Sequence, residues 1–250
     1  TSVWQTFLSV VLSRVQDSSL FFYGTKSTHS QSYILFLVKI YYILYNSCWG
    51  RESEAEFKSR EKAASLPSFT EFGQKAFGIL QGNPVGKIIF DMRNNGGGNS
   101  AQGTAFIERL ARFLEQHPGI KTYVVIGRST FSSAILNTMD FKHLTDAVVV
   151  GEQTAGKPNH FGEVRNFQLP GSKLTVAYST KYFRRTDEEA DTITPDVRIE
   201  MSFTDFTKGI DPVYEWIKAQ RLRGRFTPSS RYAGRSPGST SAWAQDCPQD

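Results

Sequence analysis

The chain has 250 residues, 39% of them hydrophobic and 13% aromatic, which is enough for a buried core and excludes global disorder. The net charge of +5 is unevenly placed: residues 221–250 hold five arginines against two acids, a net +3, leaving +2 elsewhere. A charged tail of this kind is ordinarily solvated chain, so nucleic acid is not an expected partner. Cys48 and Cys247 have no metal-ligand spacing around them, and neither a metal nor a cofactor is expected.

Residues 1–32 carry weak helical spacing from Trp4 to Val15, then a polar stretch. They lack the basic leader of a signal peptide. Tyr33–Tyr45 is apolar, broken by Lys39, and too short to span a bilayer; it reads as one or two buried strands. Arg51–Lys62 is a charged loop or helix. Ser68-Phe-Thr-Glu71 has the capping-box pattern, and Phe69, Phe72, Ala76, Phe77, Ile79 and Leu80 continue a helical apolar face to Gly82-Asn-Pro84.

Next, Lys87–Phe90 predicts a strand, residues 101–116 a helix, Thr122–Ile126 a strand, Ser133–Phe141 a helix and Ala147–Val150 a strand. This β-α-β-α-β run with short turns implies an α/β fold with a mostly parallel sheet. Glu163–Leu169 and Lys173–Ser179 flank Pro170-Gly-Ser172 and predict a β-hairpin. A charged loop over residues 180–194 and a short strand within Pro195–Glu200 come next. Asp211-Pro212 then starts a helix, with Asp211 as cap. The expected division is an N-terminal segment 1–32, a main domain 33–220 and a basic, disordered tail 221–250.

Two glycine motifs invite other readings. Gly96-Gly-Gly98-Asn-Ser-Ala101 fits a dinucleotide pattern, but the next strand ends at Gly127-Arg128 and not at the acid a ribose needs. Gly151-Glu-Gln-Thr-Ala-Gly-Lys157-Pro158 nearly matches a phosphate-binding loop. Pro158 stands where that loop needs a hydroxyl for magnesium. Acyl transfer accommodates both motifs: it needs a nucleophile, a base and backbone N–H donors for an oxyanion. Ser132 opens a helix and Lys157 follows an apolar strand. Desolvation there would lower the lysine's pKa toward a base's range. Ser133 is the alternative nucleophile, and His143 and His160 are alternative bases. Asp91 is expected to hold the glycine turn through hydrogen bonds to the backbone.

Three elements in order resemble the C-terminal processing (tail-specific) serine peptidases, a family related to the tricorn core and the interphotoreceptor retinoid-binding protein repeats. They are Asp91-Met-Arg-Asn-Asn-Gly-Gly-Gly98, Thr130-Phe-Ser132 and Gly151-Glu-Gln-Thr-Ala-Gly-Lys157. Ile193-Thr-Pro-Asp196 and Gly209-Ile-Asp-Pro212 resemble the family's closing elements. The resemblance implies a crotonase-like (ClpP/crotonase, ββα superhelix) core and hydrolysis of a polypeptide substrate by a Ser132–Lys157 dyad, without ATP or metal. It also implies an oxyanion hole of Gly97 and Ser133 N–H groups, with Gly98 able to substitute, and an extracytoplasmic location. Phe131, His160 and Glu163 are candidate cleft-lining residues. The sequence departs from the pattern at Ile135, where the family often has a glutamate, and no peptide-binding PDZ module is visible. These departures motivate an alternative: a catalytically inactive relative that binds a peptide or apolar ligand.

Overall fold

The structure, a computed structural model, describes residues 20–21, 30–35 and 39–221. The helical spacing near Trp4, the arginine-rich tail and Cys247 lie outside those residues. Seven strands form one sheet in the order β1 (Leu20–Phe21), β2 (Ser30–Leu35), β3 (Ile40–Tyr45), β4 (Lys87–Asp91), β5 (Lys121–Ile126), β6 (Val148–Gly151) and β9 (Val197–Arg198). Strand β2 is antiparallel to both its neighbours β1 and β3, and the five strands β3, β4, β5, β6 and β9 are parallel. The apolar run at 33–45 is thus two strands, with Tyr33 opposite Tyr42. Strands β7 (His160–Gln168) and β8 (Thr175–Phe183) form a separate antiparallel hairpin.

Strand side chains alternate between two faces, and each face builds its own core. Tyr41, Ile43, Ile88, Phe90, Val124 and Val149 pack against α3 (Phe69–Gly82), α4 (Ser100–Gln116) and α5 (Ser133–Leu144). Tyr42, Leu44, Ile89, Tyr123 and Val125 pack against α7 (Pro212–Ala219) through Val213, Tyr214 and Ile217. Two short helices, α1 (Arg51–Phe57) and α2 (Arg60–Ala63), precede α3, and α6 (Phe203–Lys208) precedes α7. Among the described residues, no helix is long and apolar enough to cross a membrane.

The start of α3 departs from the expected capping box. Ser68 Oγ accepts the Glu71 N–H at 3.0 Å, but the Glu71 carboxylate turns out to Arg51 at 3.0 Å. Glu52 of α1 takes its place. Its carboxylate accepts from the Ser68 hydroxyl and from the N–H groups of Phe69 (3.0 Å) and Thr70 (3.3 Å). Although burial opposes its charge, those bonds hold the Glu52 carboxyl below the usual range. Helix α7 is pinned at both ends. Asp211 accepts from the Val213 and Tyr214 N–H groups at 3.0 and 3.1 Å, and buried Lys87 donates to the carbonyls of Ile217 and Lys218 at 2.9 and 2.8 Å.

Helices α4 and α5 meet at Gly103, where an added Cβ would lie 2.1 Å from Asn137 Oδ1. Gly103→Ala is therefore expected to destabilise the chain by about 1–3 kcal/mol, despite alanine's better helix propensity. A denaturant midpoint equal to or above the parent's would show that the two helices can part freely.

Candidate active site

Three loops leave the carboxyl ends of adjacent parallel strands: 92–99 after β4, 127–132 after β5 and 152–159 after β6. The strand ends are level, with Asp91 opposite Val125 and Ile126 opposite Gly151, so all three loops rise from one edge.

The first loop is anchored at its base by charge. Asp91 accepts from the Arg93 N–H at 2.9 Å, from the Arg93 guanidinium at 2.7 Å and from the Tyr42 hydroxyl. The same guanidinium reaches Asp211 at 2.6 Å. Burial works against the Arg93 charge, but the two carboxylates outweigh it and hold the guanidinium firmly protonated. Asp91 thus ties the turn both to its own backbone and to the cap of α7.

Further along, Asn95 is fully buried and uses its whole side chain. Its Nδ2 donates to the Tyr45 carbonyl at 2.8 Å, and its Oδ1 accepts from the Gly97 N–H at 2.9 Å and from the Cys48 thiol at 3.4 Å. Its own carbonyl accepts the Phe131 N–H at 2.9 Å, one residue before Ser132. Cys48 completes the join: its N–H donates to the Gly97 carbonyl at 3.0 Å, and its carbonyl accepts from Asn99 at 2.7 Å. Burial pushes the Cys48 thiol up to about 12, which makes it a packed donor and not a reactive thiolate.

The second loop presents Ser132. Thr130 is fully buried; its hydroxyl donates to the Met92 carbonyl at 2.8 Å and accepts the Gly127 N–H at 3.0 Å, which closes the turn. Ser132 occupies the N-cap of α5 but makes no side-chain cap bond, and its backbone has φ 51° and ψ −122°. That conformation belongs to the first central residue of a type II′ turn, a place that favours glycine. Holding a serine there costs about 1–3 kcal/mol. A serine serving only as a cap would sit in extended backbone and bond the next turn; Ser132 does neither.

Gly97 (φ 101°) and Gly98 (φ 139°) both need the freedom that a missing Cβ gives. A Cβ on Gly97 would lie 2.8 Å from Ser132 Cβ and 3.0 Å from Ser133 N, so the glycine turn and the serine turn are in contact. The Gly97 N–H, expected as an oxyanion donor, is engaged with Asn95 Oδ1. The next N–H differs. Because the Gly97 carbonyl faces Cys48, the trans peptide turns the Gly98 N–H the opposite way. The Ser133 N–H is a first-turn donor that the helix leaves unpaired. Ser133 itself is buried, with its hydroxyl donating to the Gly98 carbonyl at 2.7 Å, so its side chain is a strut between the two turns.

The third loop touches the second. A Cβ on Gly156 would lie 3.0 Å from both Ile135 Cδ1 and Phe131 Cε2, so Phe131 leans on the residue beside Lys157. The lysine is not desolvated as expected. Its side chain is 54% exposed, and Nζ lies 2.6 Å from Asp191 Oδ1. The Asp191 carboxylate raises the Lys157 pKa, and the Asp191 pKa falls in return. The structure therefore brings the serine and lysine loops together but pairs the amine with Asp191. Ile135 is buried at 1% exposure, with its Cδ1 near Gly156 on the third loop.

Of the remaining candidates, His160 has Nδ1 3.0 Å from the Lys157 carbonyl and its ring against Phe183. Glu163 faces Lys181 at 3.5 Å on the hairpin. His143 is exposed at the far end of α5, roughly 15 Å from Ser133 along the helix axis. Asn95 and Asp191 were not singled out from the sequence. The Asn-Gly step after a strand marks a turn and so points to Asn95; nothing in the charged loop distinguishes Asp191 from its neighbours.

No protein-family model matches the chain, and no curated protein matches it. Solved structures do. A protein from Parabacteroides merdae ATCC 43184 described as a candidate peptidase aligns at TM-score 0.55 and 18% identity, over 83% of this chain and 67% of that one. Mature CPAF complexed with lactacystin aligns at TM-score 0.57 and 13% identity, over 80% and 56%. A candidate S41 protease from Bacteroides fragilis NCTC 9343 aligns at TM-score 0.50 and 12% identity, over 79% and 56%. At these identities the likeness establishes the fold: a mixed α/β peptidase-like fold, the one expected from the three motifs. The chain spans between half and two thirds of the length of such structures.

If the Asn95 amide is the clamp that its bonds suggest, Asn95→Ala should cost about 2–3 kcal/mol, because buried partners lose their hydrogen bonds. Urea denaturation followed by tryptophan fluorescence measures this, and an unchanged midpoint would refute the clamp.

Proposed function

We propose that the chain carries the catalytic unit of a serine-type endopeptidase. The observation that supports this most is Ser132: a strained, uncapped serine at a helix start, in contact with a glycine turn whose N–H groups are oriented by Cys48 and Asn95. In the proposed reaction, Lys157 leaves Asp191, loses its proton and accepts that of Ser132 Oγ. The oxygen attacks the scissile carbonyl, and the Gly98 and Ser133 N–H groups take the oxyanion. The C–N bond breaks as the lysine's proton passes to the leaving amine. Water, deprotonated by the Lys157 amine, then attacks the acyl-enzyme; the ester C–O bond breaks, and Ser132 Oγ takes the proton back from the lysine.

Lys157 begins as an ammonium, so the reaction requires it to deprotonate. Asp191 stabilises the charged form; removing that carboxylate lowers the Lys157 pKa and makes the free amine available at lower pH. Asp191→Asn should therefore shift the rising limb of the pH–rate profile toward acid. A limb that stays in place would mean that Lys157 is not the titrating base. Ser132→Ala should lower turnover on the order of 10³-fold or more and abolish labelling by a fluorophosphonate probe. Labelling that persists in this variant would sink the assignment of the nucleophile.

A second reading, a binding module without turnover, draws on the exposed Lys157–Asp191 pair and on apolar Ile135. Peptide binding by a folded parent chain that the probe never labels, at any pH, would favour it.

A further inference from the structure

The hairpin β7–β8 belongs to neither core. None of its residues is buried, and one face is the more apolar. Phe167 opposes Val176, and Arg165 opposes Tyr178. The Phe167 and Tyr178 rings lie 6.0 Å apart on the same face. Leu169 and Leu174 extend this face toward the turn, and Phe161 stacks on Tyr182 nearer the base, with rings 4.7 Å apart. Exposures are 69% for Phe161, 50% for Phe167, 64% for Leu174 and 46% for Tyr178. The opposite face carries Asn166, Gln168, Thr175 and Ser179, with Val164 its exposed large apolar residue between the strand ends. An antiparallel sheet patterned this way normally lays its apolar face on something, and contiguous exposed apolar surface marks interaction sites.

Charge and size select the occupant. Lys181 and Arg184 are already paired with Glu163 and Asp187, whereas Arg165, amid the apolar strip, has no ion pair among the described residues. The strip is two strands wide and nine residues long, roughly 10 Å by 30 Å. That is far short of the roughly 800 Å² per partner of a stable protein–protein interface, but it matches one extended polypeptide. The hairpin is also held in place at the site. Asn159 Oδ1 accepts the N–H groups of Arg185 and Thr186 at 2.7 and 3.1 Å, and β7 starts three residues after Lys157.

We propose that this strip docks the polypeptide substrate, selecting an extended segment of apolar residues that carries one carboxylate for Arg165. The assignment of the segment as substrate rests on the peptidase reading. Arg165 stands roughly 17 Å along β7 from His160, so the preferred acid lies about five or more residues from the bond cut.

The test uses the full chain carrying Ser132→Ala, which holds peptide without cutting it, and two short fluorescein-labelled Phe/Leu/Ser peptides bearing either one Glu or one Lys. Anisotropy should show the Glu peptide binding roughly three- to tenfold more tightly, the scale of exposed ion pairs. Arg165→Glu should reverse that preference, and Phe167→Ser should weaken both peptides. The proposal is overturned by equal affinities, by a preference that survives Arg165→Glu, or by a dimer in sedimentation that Phe167→Ser dissociates, which would make a second copy the occupant. Peptide cleavage by the unsubstituted chain separates the two ideas. A Glu preference without cleavage leaves the docking strip standing and removes the peptidase; cleavage without the preference does the reverse.

Discussion

Asn95 donates to the end of β3, accepts from the glycine turn and from the Cys48 thiol, and takes the Phe131 N–H on its own carbonyl. The end of β3 with Cys48, the glycine turn and the serine turn are thereby fixed to one residue that water does not reach, the first two through its side chain and the last through its backbone carbonyl. Buried polar groups must be paired, and each unpaired group costs about 1–3 kcal/mol. The turn conformation and the serine conformation therefore stand or fall together: if Ser132 relaxed to ordinary cap geometry, it would move Phe131 and break the bond to Asn95. Its unfavourable backbone angles persist because neighbours over-determine them. Ser133, strutted to the Gly98 carbonyl, and Thr130, bonded to the Met92 carbonyl, fix the same two turns from other directions.

A buried charge network supports the clamp from below. Asp91, Arg93 and Asp211 are removed from water together; one guanidinium faces two carboxylates, and the Tyr42 hydroxyl and the Val213 and Tyr214 N–H groups supply the remaining donors such a buried network needs. Here one guanidinium serves the glycine loop after β4 and the N-cap of α7, so the helix covering the back face is coupled to the loop at the front edge. Lys87 repeats the device at the other end of α7 by holding its last carbonyls. The second core is thin, with one eight-residue helix against the sheet, and these two polar anchors set where that helix lies.

Elements with strong local signals were legible in the sequence. Strands β4 to β6 are short apolar runs and helices α3 and α4 carry helical periodicity, whereas α5 is buried on all sides over Ser133–Phe141 and was marked by its length and bounds; the boundaries of all six fall within a few residues of expectation. The hairpin was marked by Pro170-Gly-Ser172, although its strands run longer than the alternating stretch. What could not be read were choices made in three dimensions. Glu52, not Glu71, reaches the α3 terminus because α1 folds back onto it. The Gly97 N–H turns to Asn95 because the chain doubles over Cys48. Lys157 follows an apolar strand, which suggested burial, yet its side chain emerges at the rim, where Asp191 is within reach.

That last difference separates the permanent from the adjustable in the site. The serine turn, the glycine turn and the N–H groups between them are locked by buried bonds that cannot change singly. The lysine is held by an exposed ion pair, among the weakest interactions in proteins and one that salt screens further. Moving an exposed side chain between two partners is fast and inexpensive, whereas building a strained turn is neither. On the proposed peptidase reading, the oxyanion geometry is fixed in the core and Lys157 is left on a soft tether, so an extended segment displacing water along the hairpin would act on the lysine and not on the turns. Desolvation by that same segment would act on the lysine in the direction that a base requires, by disfavouring its charged form.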